Sequence, residues 1–482
     1  MSAYPTQLSS ASRLTSALPG KVVMPEDVRF DEARRAWNLA IDQRAAAVAF
    51  PESPQDVAAV VLFARDFCLR VAAQGIGHSA GPLGSLEDTI LLKTGRMRGV
   101  SVDPDRRAVQ VEAGTVWDEV VEVAAQHGLA ALAGSSPDVG VVGYTLGGGI
   151  SFLGRRYGLA ANHVRAIELV TADGRLVRAD REHEPDLFWA LRGGGGSFGV
   201  VTSIELELFP ITQAYAGILW YPIERGPEVL HAWRELTQSD LPDELTTVGR
   251  FVNLPPLPQI PEPVRGKSFA IVEAYHLGDP AQADDLLAPL RALGPLNDTI
   301  TTVQMPALTH LRMEPEQPVP AASDGLMVDN LSADALDAFV EVAGAHAEFP
   351  LVSIELRHLG GELRRERPRT RRARLARRGL RNGRRRDRAH ARARGLRTCA
   401  SAGRQGCACA LGGEADVPGL RRDAARHGDV LDRAGLPPPA PHQNRRRARR
   451  PHPLKPPHPA HIAATMQQPR RSPNPDPKRG RQ

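Results

Sequence analysis

GSSPDVGVVGYTLGGGI, residues 134–150, is the stretch that decides the fold, and two other glycine-rich stretches flank it. QGIGHSAG lies before it at residues 74–81, and DLFWALRGGGGSFGVVT lies after it at residues 186–202. Glycine allows positive-φ turns and keeps side chains out of the way where backbone N–H groups converge on an anion. Two such loops, 75–81 and 140–149, are suited to grip one diphosphate from two sides. Taken alone, the glycines at 193–196 indicate only a tight turn.

The segments around these loops alternate between strand and helix patterns. Residues 48–60 read as a strand, a turn and a helix start, with Ser53 as the cap and Pro54 just inside the helix. Apolar periodicity then predicts the following strands and helices. Strands are expected at 69–73, 108–113, 166–170, 175–179, 200–209, 220–222, 251–254, 269–275 and 350–357, and helices at 226–238, 281–292 and 333–346. The alternation of strands and helices with glycine-rich crossings ends at about Pro210. We therefore expect an N-terminal segment over 1–29, one domain over 30–211 and a second domain over 212–360.

A nicotinamide-binding Rossmann fold is the main competitor for these glycines. Its Gly-x-Gly-x-x-Gly follows a strand, opens a helix and has an acidic residue about 20 positions later. Here Gly75-Ile76-Gly77 leads into a polar loop, and no βαβ unit is expected around it. The local pattern therefore disfavours that fold.

In order and spacing, the three stretches resemble the FAD-binding domain of the vanillyl-alcohol-oxidase/berberine-bridge-enzyme family, and the resemblance extends over about residues 30–360. It implies an α+β protein with a two-subdomain PCMH-type FAD-binding domain and an α+β substrate domain. It also places the cofactor-binding positions, which are Gln74, Gly75, Ile76, Gly77, His78, Ser79, Ala80, Ser136, Pro137, Asp138, Gly140, Gly143, Gly147, Gly148 and Val200.

The resemblance assigns His78 the covalent bond to the 8α-methyl group of the flavin. Doubly linked members carry a cysteine in the second motif, and Ser136 stands in its place here. A hydroxyl cannot form the thioether, so one covalent bond is expected. The first loop also departs from the family, because Gln74 and Ile76 stand where an arginine and a glycine are common. An isolated histidine in such a turn would only hydrogen-bond within it.

The implied activity is that of a FAD-dependent oxidase, which removes hydride from a small hydroxylated or amine substrate and passes the electrons to O₂. Two alternatives stay open, a dehydrogenase that uses an electron carrier and an inactive, frame-shifted member of the family. The family's base or tyrosine near flavin N5 falls in the C-terminal part that is replaced here, so no catalytic residue is assigned.

Charge divides the chain near residue 360. Residues 1–360 hold 28 Lys+Arg and 46 Asp+Glu, whereas residues 361–482 hold 33 and 9. The acidic body gives no electrostatic reason to expect nucleic acid. Its single cysteine, Cys68, favours a reducing, cytoplasmic location, and no apolar run predicts a membrane span. No metal site is expected, because histidine, cysteine and carboxylate ligands do not cluster.

The tail, residues 361–482, contains no aromatic residue, 31 arginines and only 2 lysines. Such a segment cannot bury enough apolar area to offset its conformational entropy, so disorder is expected. A basic nucleic-acid-binding arm would use more lysine, whereas an out-of-frame reading of GC-rich coding sequence is rich in arginine, alanine, proline and glycine. We therefore expect a frame shift near residues 362–370.

Overall fold

The structure, a computed structural model, describes residues 13–258, 260–315, 317–345 and 351–365 and the backbone of residues 407–411. It confirms the mixed helix and sheet composition expected from the sequence. Most of the tail that is expected to be disordered and out of frame lies outside these residues, as does the start of the N-terminal segment. The helices of the described part include none that is long and apolar enough to cross a membrane.

The first sheet holds four strands in the part of the chain that the structure describes. They are β1 (Val22–Val23), β2 (Ala47–Ala49), β3 (Arg70–Gln74) and β4 (Thr89–Lys93). β4 lies between β2 and β3 and runs parallel to both. Of the helices here, α1 (Phe30–Ala33) is a single turn and α2 (Pro54–Asp66) connects β2 to β3. As expected, Ser53 caps α2 by accepting a hydrogen bond from the Asp56 amide.

The connection β2–α2–β3 corrects one expectation. A βαβ unit does precede the loop at 75–81, so the inference that none surrounds it was wrong. The strand, helix and strand were each predicted, but β2 and β3 are joined through β4, which lies between them, and the local sequence does not show that these strands run parallel. The loop leads into a 3₁₀ turn, Gly81–Leu83, rather than an α-helix. A nicotinamide-type loop, which opens an α-helix, therefore remains disfavoured on this point.

The second sheet is antiparallel and has the order β5-β6-β9-β7-β8 among the described residues. Its strands are β5 (Val100–Asp103), β6 (Ala108–Glu112), β7 (Val164–Val170), β8 (Leu176–Asp180) and β9 (Val200–Glu207). The nearby helices are α3 (Trp117–Ala125), α4 (Val141–Leu146), α5 (Gly154–Tyr157) and α6 (Pro185–Gly194), with 3₁₀ turns at Thr94–Arg96 and Ala160–His163. Helices α3, α4 and α6 share one apolar core with this sheet.

The third sheet begins after Pro210, where the sequence predicts the start of a second domain. Its strands are β10 (Gln213–Pro222), β11 (Leu245–Asn253), β12 (Ser268–His276), β13 (Asn297–Asp298), β14 (Thr301–Gln304), β15 (Gly325–Val328), β16 (Ser353–His358) and β17 (Cys407–Leu411). They follow the order β13-β10-β12-β11-β16-β17-β15, with β14 also paired to β10. Strand β17 lies in the expected disordered tail and was not predicted.

Helices α7 (Gly226–Gln238), α8 (Pro280–Arg291) and α9 (Ala333–Ala343) cover one face of the third sheet, and 3₁₀ turns lie at Ile223–Arg225, Met305–His310 and Gly361–Leu363. Side chains alternate between the faces of a strand. Phe251 and Leu356 therefore point to the helices, whereas Arg250 and Glu355 lie on the opposite face. That opposite face meets the first part of the chain through apolar residues such as Phe152.

Candidate functional site

The first glycine loop leaves β3 at Gln74 and turns sharply. Gly77 has φ 95°, and a Cβ there would lie 2.3 Å from Gln74 Nε2 and 3.1 Å from the Ala36 Cα. Only glycine fits this position without strain. The Gln74 side chain is buried, and neither its oxygen nor its nitrogen has a hydrogen-bond partner. The same loop contains the other predicted cofactor-binding residues of the first motif, Gly75, Ile76, Ser79 and Ala80.

The second glycine loop is fastened to the start of helix α3. The Asp118 amide donates to Pro137 O at 2.9 Å, and the Trp117 amide donates to Val139 O at 3.0 Å. The chain then enters α4 after Gly140 and leaves it at Gly147. Gly149 has φ 75°, and a Cβ there would lie 2.6 Å from Tyr144 Cε1. Positive φ and steric crowding thus explain why positions 77 and 149 are glycine.

The fold brings the two loops into contact. His78 Nε2 lies 3.2 Å from Asp138 Oδ2, an ion-pair distance without an aligned hydrogen bond. Ser136 Oγ donates to the other carboxylate oxygen, Oδ1, at 2.9 Å. The Trp37 ring stacks on the imidazole at 3.9 Å between centroids. We call these four residues, His78, Asp138, Ser136 and Trp37, the loop junction.

Asp138 is the charged member of the loop junction. Burial raises the pKa of its carboxyl group, but the contacts with His78, Ser136 and Trp37 outweigh burial and leave the pKa below its usual value. The side chains of His78 and Asp138 are 25% and 26% exposed. The carboxylate is therefore ionised at neutral pH and faces the imidazole across a partly dehydrated gap.

Three predicted positions lie apart from the loop junction. Gly143, within α4, borders open space, since a Cβ added there would have no neighbouring atom within 4 Å, and Gly148 has φ 116° beyond the helix end. Val200 is 6% exposed and packs in the core of the first sheet together with Val170. The third glycine stretch contacts the second, because the Gly195 amide donates to Leu146 O.

Several polar groups near the loops were not predicted from the sequence. Gln43 is 3% exposed, and both polar atoms of its side chain lack partners. Trp37 Nε1 and the Tyr144 hydroxyl are also buried without a hydrogen bond. Burial raises the pKa of Tyr144. Tyr144 lies inside the second motif and was detectable there, whereas nothing in the sequence around Trp37 or Gln43 marked them.

Charged side chains cross the face of the third sheet that lies opposite helices α7, α8 and α9. Glu273 accepts hydrogen bonds from Arg312 at 2.7 Å and from the Tyr275 hydroxyl at 3.0 Å. Arg312 also reaches Glu355 at 3.0 Å, and Glu355 pairs with Arg357. Arg250 Nε lies 3.1 Å from Glu273. We call Arg250, Glu273, Arg312, Glu355 and Arg357 the sheet-face cluster.

Two small cavities flank Ser151 and Phe152, just after the second glycine loop. One is lined by apolar residues that include Val121, Ala133 and Met305. The other is lined by Ile150, Thr246, Val248 and Arg357, so it adjoins the sheet-face cluster. Phe152 separates them and stacks on Tyr275 at 3.9 Å. The glycine loops and the third sheet therefore meet at this point.

The donor set fits a large cofactor with both polar and ring parts. A buried polar group without a partner costs free energy until a ligand satisfies it. The partnerless atoms of Gln74 and Tyr144 supply such groups in two loops whose glycines leave the backbone accessible. FAD combines a diphosphate, hydroxyl groups and an aromatic ring system, and this combination matches them.

Comparison with known proteins identifies the part that contains these loops. Residues 45–180 match the family model described as FAD binding domain. The chain carries an FAD-binding domain. (R)-6-Hydroxynicotine oxidase of Paenarthrobacter nicotinovorans is 34% identical over 217 residues, which are 45% of this chain and 47% of that protein. Glucooligosaccharide oxidase of Sarocladium strictum is 33% identical over 216 residues, 44% of this chain and 43% of that protein.

A solved structure, the BBE-like 1 protein of Physcomitrella patens, has a TM-score of 0.61 and 18% identity and covers 73% of this chain and 78% of its own. This likeness confirms the fold around the FAD-binding domain. The family resemblance found in the sequence is confirmed too, since the homologues are FAD-linked oxidoreductases and oxidases. The matched part of the chain spans about half the length of the first curated relatives.

Proposed function

We propose that this chain is a FAD-dependent oxidase that removes hydride from a small hydroxylated or amine substrate. The observation that carries the proposal is the loop junction, where the fold brings His78 of the first glycine loop to Asp138 of the second. The FAD-binding domain match over residues 45–180 supports the same cofactor. When bound, FAD supplies the acceptor for hydride and returns the electrons to O₂.

The chain's own residues hold and orient the cofactor in this proposal. Backbone amides of 75–81 and 140–149 bind the diphosphate, and the Gln74 side-chain amide, which lacks a partner, hydrogen-bonds to it as well. His78 carries one covalent bond to the flavin. Ser136 makes no second bond, because a hydroxyl cannot form the thioether, and it donates instead to Asp138.

The substrate side is formed by residues 212–360, whose sheet faces the second glycine loop. Arg357, Thr246 and Val248 line the cavity there together with Ile150. The relatives named above are oxidases of a hydroxynicotine and of a glucooligosaccharide, one an amine and one a hydroxylated compound. We propose these two chemical classes for the substrate and a cytoplasmic location for the protein.

The purified full chain tests the proposal. FAD titration should produce a bound flavin spectrum, and acid precipitation should leave the yellow colour with the polypeptide. His78→Ala is the matched control, since it should bind FAD and release it in acid. Anaerobic reduction by an amine or sugar panel followed by an air pulse separates an oxidase, which reoxidises at once, from a carrier-linked dehydrogenase. A chain that stays colourless with excess FAD would contradict the proposal.

The composition break at residue 361 favours a second candidate, an inactive family member. Basic residues outnumber acidic ones 33 to 9 beyond that point, where the family's residues near flavin N5 are expected. This candidate binds FAD but reduces none with any substrate. Restoring the reading frame near residues 362–370 should then restore reduction, and comparison of the two chains decides between the candidates.

A further inference from the structure

We infer that Asp138 is the positioning residue that prepares His78 for covalent attachment of the flavin. This inference rests on the proposed function, because it assumes that FAD occupies the two loops. Three contacts carry it, namely the 3.2 Å approach of Asp138 Oδ2 to His78 Nε2, the Trp37 ring stacked on the imidazole, and the Ser136 hydroxyl bonded to Asp138.

The geometry distinguishes the two nitrogens of the imidazole. Nε2 faces the carboxylate and is buried. A neutral imidazole carries one N–H and one lone pair, and the carboxylate favours the N–H on the nitrogen that faces it. The lone pair then lies on Nδ1, for which the described residues provide no hydrogen bond. Nδ1 is therefore the nucleophile.

Trp37 fixes the plane of the ring. Its indole lies 3.9 Å from the imidazole centroid with 20° between the planes. The Trp37 amide also donates to Ile76 O, so the stacking partner is anchored to the same loop as His78. Stacking on one side and a carboxylate at one edge leave the opposite edge of the ring for the bond.

The carboxylate is held as well as the ring. Ser136 Oγ binds Oδ1 and leaves Oδ2 for the imidazole. Ser136 is the residue at the place where doubly linked relatives carry a cysteine. In this chain Ser136 supports the carboxylate that faces His78.

Formation of the bond between His78 and the flavin places a positive charge on the imidazole, and a negative charge nearby stabilises it. Attachment forms a bond from Nδ1 to the 8α-carbon and replaces one C–H bond of the methyl group. The ring becomes positive as the bond forms and becomes neutral again when Nε2 loses its proton. In total, two electrons and two protons leave the methyl and imidazole groups, and O₂ takes them up as hydrogen peroxide. Asp138 stabilises the positive ring, as a carboxylate stabilises an imidazolium in hydrolase triads.

Two other His–Asp pairs among the described residues are poorer settings for such a role. His231 lies 2.7 Å from Asp337, but the two side chains are 34% and 65% exposed. His310 and Asp118 are 49% and 44% exposed. Charges in water interact weakly, whereas partly buried ones interact more strongly. The pair in the loop junction, with both side chains about one quarter exposed, is more shielded than these two and has a stacked ring.

Asp138→Asn is the decisive variant, because it keeps the size and removes the charge. The full chain is prepared as apoprotein and mixed with FAD in air. Non-covalent uptake is followed by quenching of flavin fluorescence, and covalent uptake by acid precipitation and by the fluorescence of the band in a denaturing gel. At saturating FAD, we expect covalent attachment at least tenfold slower than in the unaltered chain. Asp337→Asn is the matched control and should change neither quantity.

Ser136→Ala and Asp138→Glu keep the test valid if Asp138→Asn folds poorly. Ser136→Ala should slow attachment by a smaller factor, and Asp138→Glu should restore part of the rate because it returns the charge. Attachment at an unchanged rate in Asp138→Asn would overturn the inference. Flavin that binds but never becomes covalent in the unaltered chain would also overturn it, while leaving the FAD-binding proposal intact.

Discussion

The loop junction and the sheet-face cluster differ in how far their polar groups are buried and in how many of them are paired. In the sheet-face cluster Glu273 and Arg312 have side chains 0% and 2% exposed, and they bond to each other. In the loop junction His78 and Asp138 are about one quarter exposed, and the neighbouring Gln74 amide is buried with no partner. The charges of the sheet-face cluster are mostly paired with one another, although Arg250 Nε and Glu273 meet at 3.1 Å without an aligned hydrogen bond, whereas the Gln74 amide has no partner on either of its polar atoms.

This difference separates scaffold from binding site. A buried charge network that is internally paired holds its geometry without any ligand, and its cost appears only when one partner is removed. Buried groups without partners cost stability in the free protein and gain it when a ligand arrives. We therefore expect substitutions in the two regions to change stability in opposite directions.

The largest effect is expected from breaking the sheet-face cluster at its centre. Arg312→Met removes the guanidinium that joins Glu273 to Glu355 and leaves each of these two buried carboxylates with one arginine partner fewer. Loss of one partner from a buried network costs about 3–5 kcal/mol. Urea unfolding followed by far-UV circular dichroism measures this cost.

A matched surface control makes that measurement specific. Arg175 pairs with Asp173 at 2.6 Å, but its side chain is 72% exposed. Arg175→Met should leave the urea midpoint unchanged, since exposed pairs contribute little. Equal midpoints for Arg312→Met and the unaltered chain would show that the cluster does not hold the fold.

Acid should weaken the sheet-face cluster through Glu355. Burial raises the pKa of this carboxyl group, but Arg312, Arg357 and Arg250 outweigh burial and lower the pKa from 4.5 to about 2. A depressed folded-state pKa contributes stability above the unfolded value, and this stability is lost as the pH falls from about 4.5 towards 2. The contribution is about 3 kcal/mol at 1.36 kcal/mol per pKa unit.

Glu355→Gln isolates this contribution from the other carboxylates. Its free energy of unfolding should fall less steeply between pH 4.5 and 2 than that of the unaltered chain. Glu228→Gln, at a surface pair with Arg225, should show the unaltered slope. Parallel slopes for Glu355→Gln and the unaltered chain would rule out Glu355 as the acid-sensitive group.

A smaller effect is expected in the second glycine loop, where two glycines of one motif should respond with opposite signs. Gly149→Ala places a Cβ 2.6 Å from Tyr144 and 2.8 Å from Ala160 at φ 75°, and should destabilise by about 1–3 kcal/mol. Gly143→Ala meets nothing within 4 Å inside α4 and should stabilise by about 0.5–1 kcal/mol. Thermal unfolding of both variants tests this. The same sign for both would mean that space and φ do not explain the motif.

The sequence predicted the parts of this comparison that are local. The glycine loops were found because clearance and positive φ are properties of single residues, and the Ser53 cap of α2 because capping acts over three positions. The contact of His78 with Asp138 joins residues 60 positions apart on different loops, so no periodic pattern in the sequence predicts it. Trp37 lies before the first motif and carries no pattern of its own.

The sheet-face cluster was hidden for a different reason. Glu355 and Arg357 alternate with apolar residues along β16, which is the pattern of a strand with one face in water, whereas Arg250 and Glu273 are single charges in the mostly apolar strands β11 and β12. The face is buried because another part of the chain covers it, as Phe152 does against Tyr275. Period-two alternation distinguishes the two faces of a sheet but does not reveal what lies above either of them.

The substitution with the smallest expected effect tests the comparison most directly, because removing a buried polar group at Gln74 should stabilise the free protein. Gln74 is 6% exposed and both polar atoms of its side chain lack partners, so the free protein bears the cost of burying an amide. Gln74→Leu should raise the unfolding free energy of the apoprotein by about 1 kcal/mol. It should also weaken FAD binding about tenfold, which corresponds to about 1.4 kcal/mol. Urea unfolding of the apoprotein and FAD titration measure the two quantities.

The control for this change is a buried polar group that is already satisfied. Thr247 Oγ1 accepts a hydrogen bond from Trp233 Nε1 at 3.1 Å in the core beneath α7. Thr247→Val should destabilise the chain by about 1 kcal/mol, because it leaves the indole N–H without a partner, and should not affect FAD affinity. Destabilisation of the apoprotein by Gln74→Leu would mean that this amide supports the free fold. The loop would then resemble the sheet-face cluster, and the distinction between a self-satisfied scaffold and a site prepared for a ligand would not apply there.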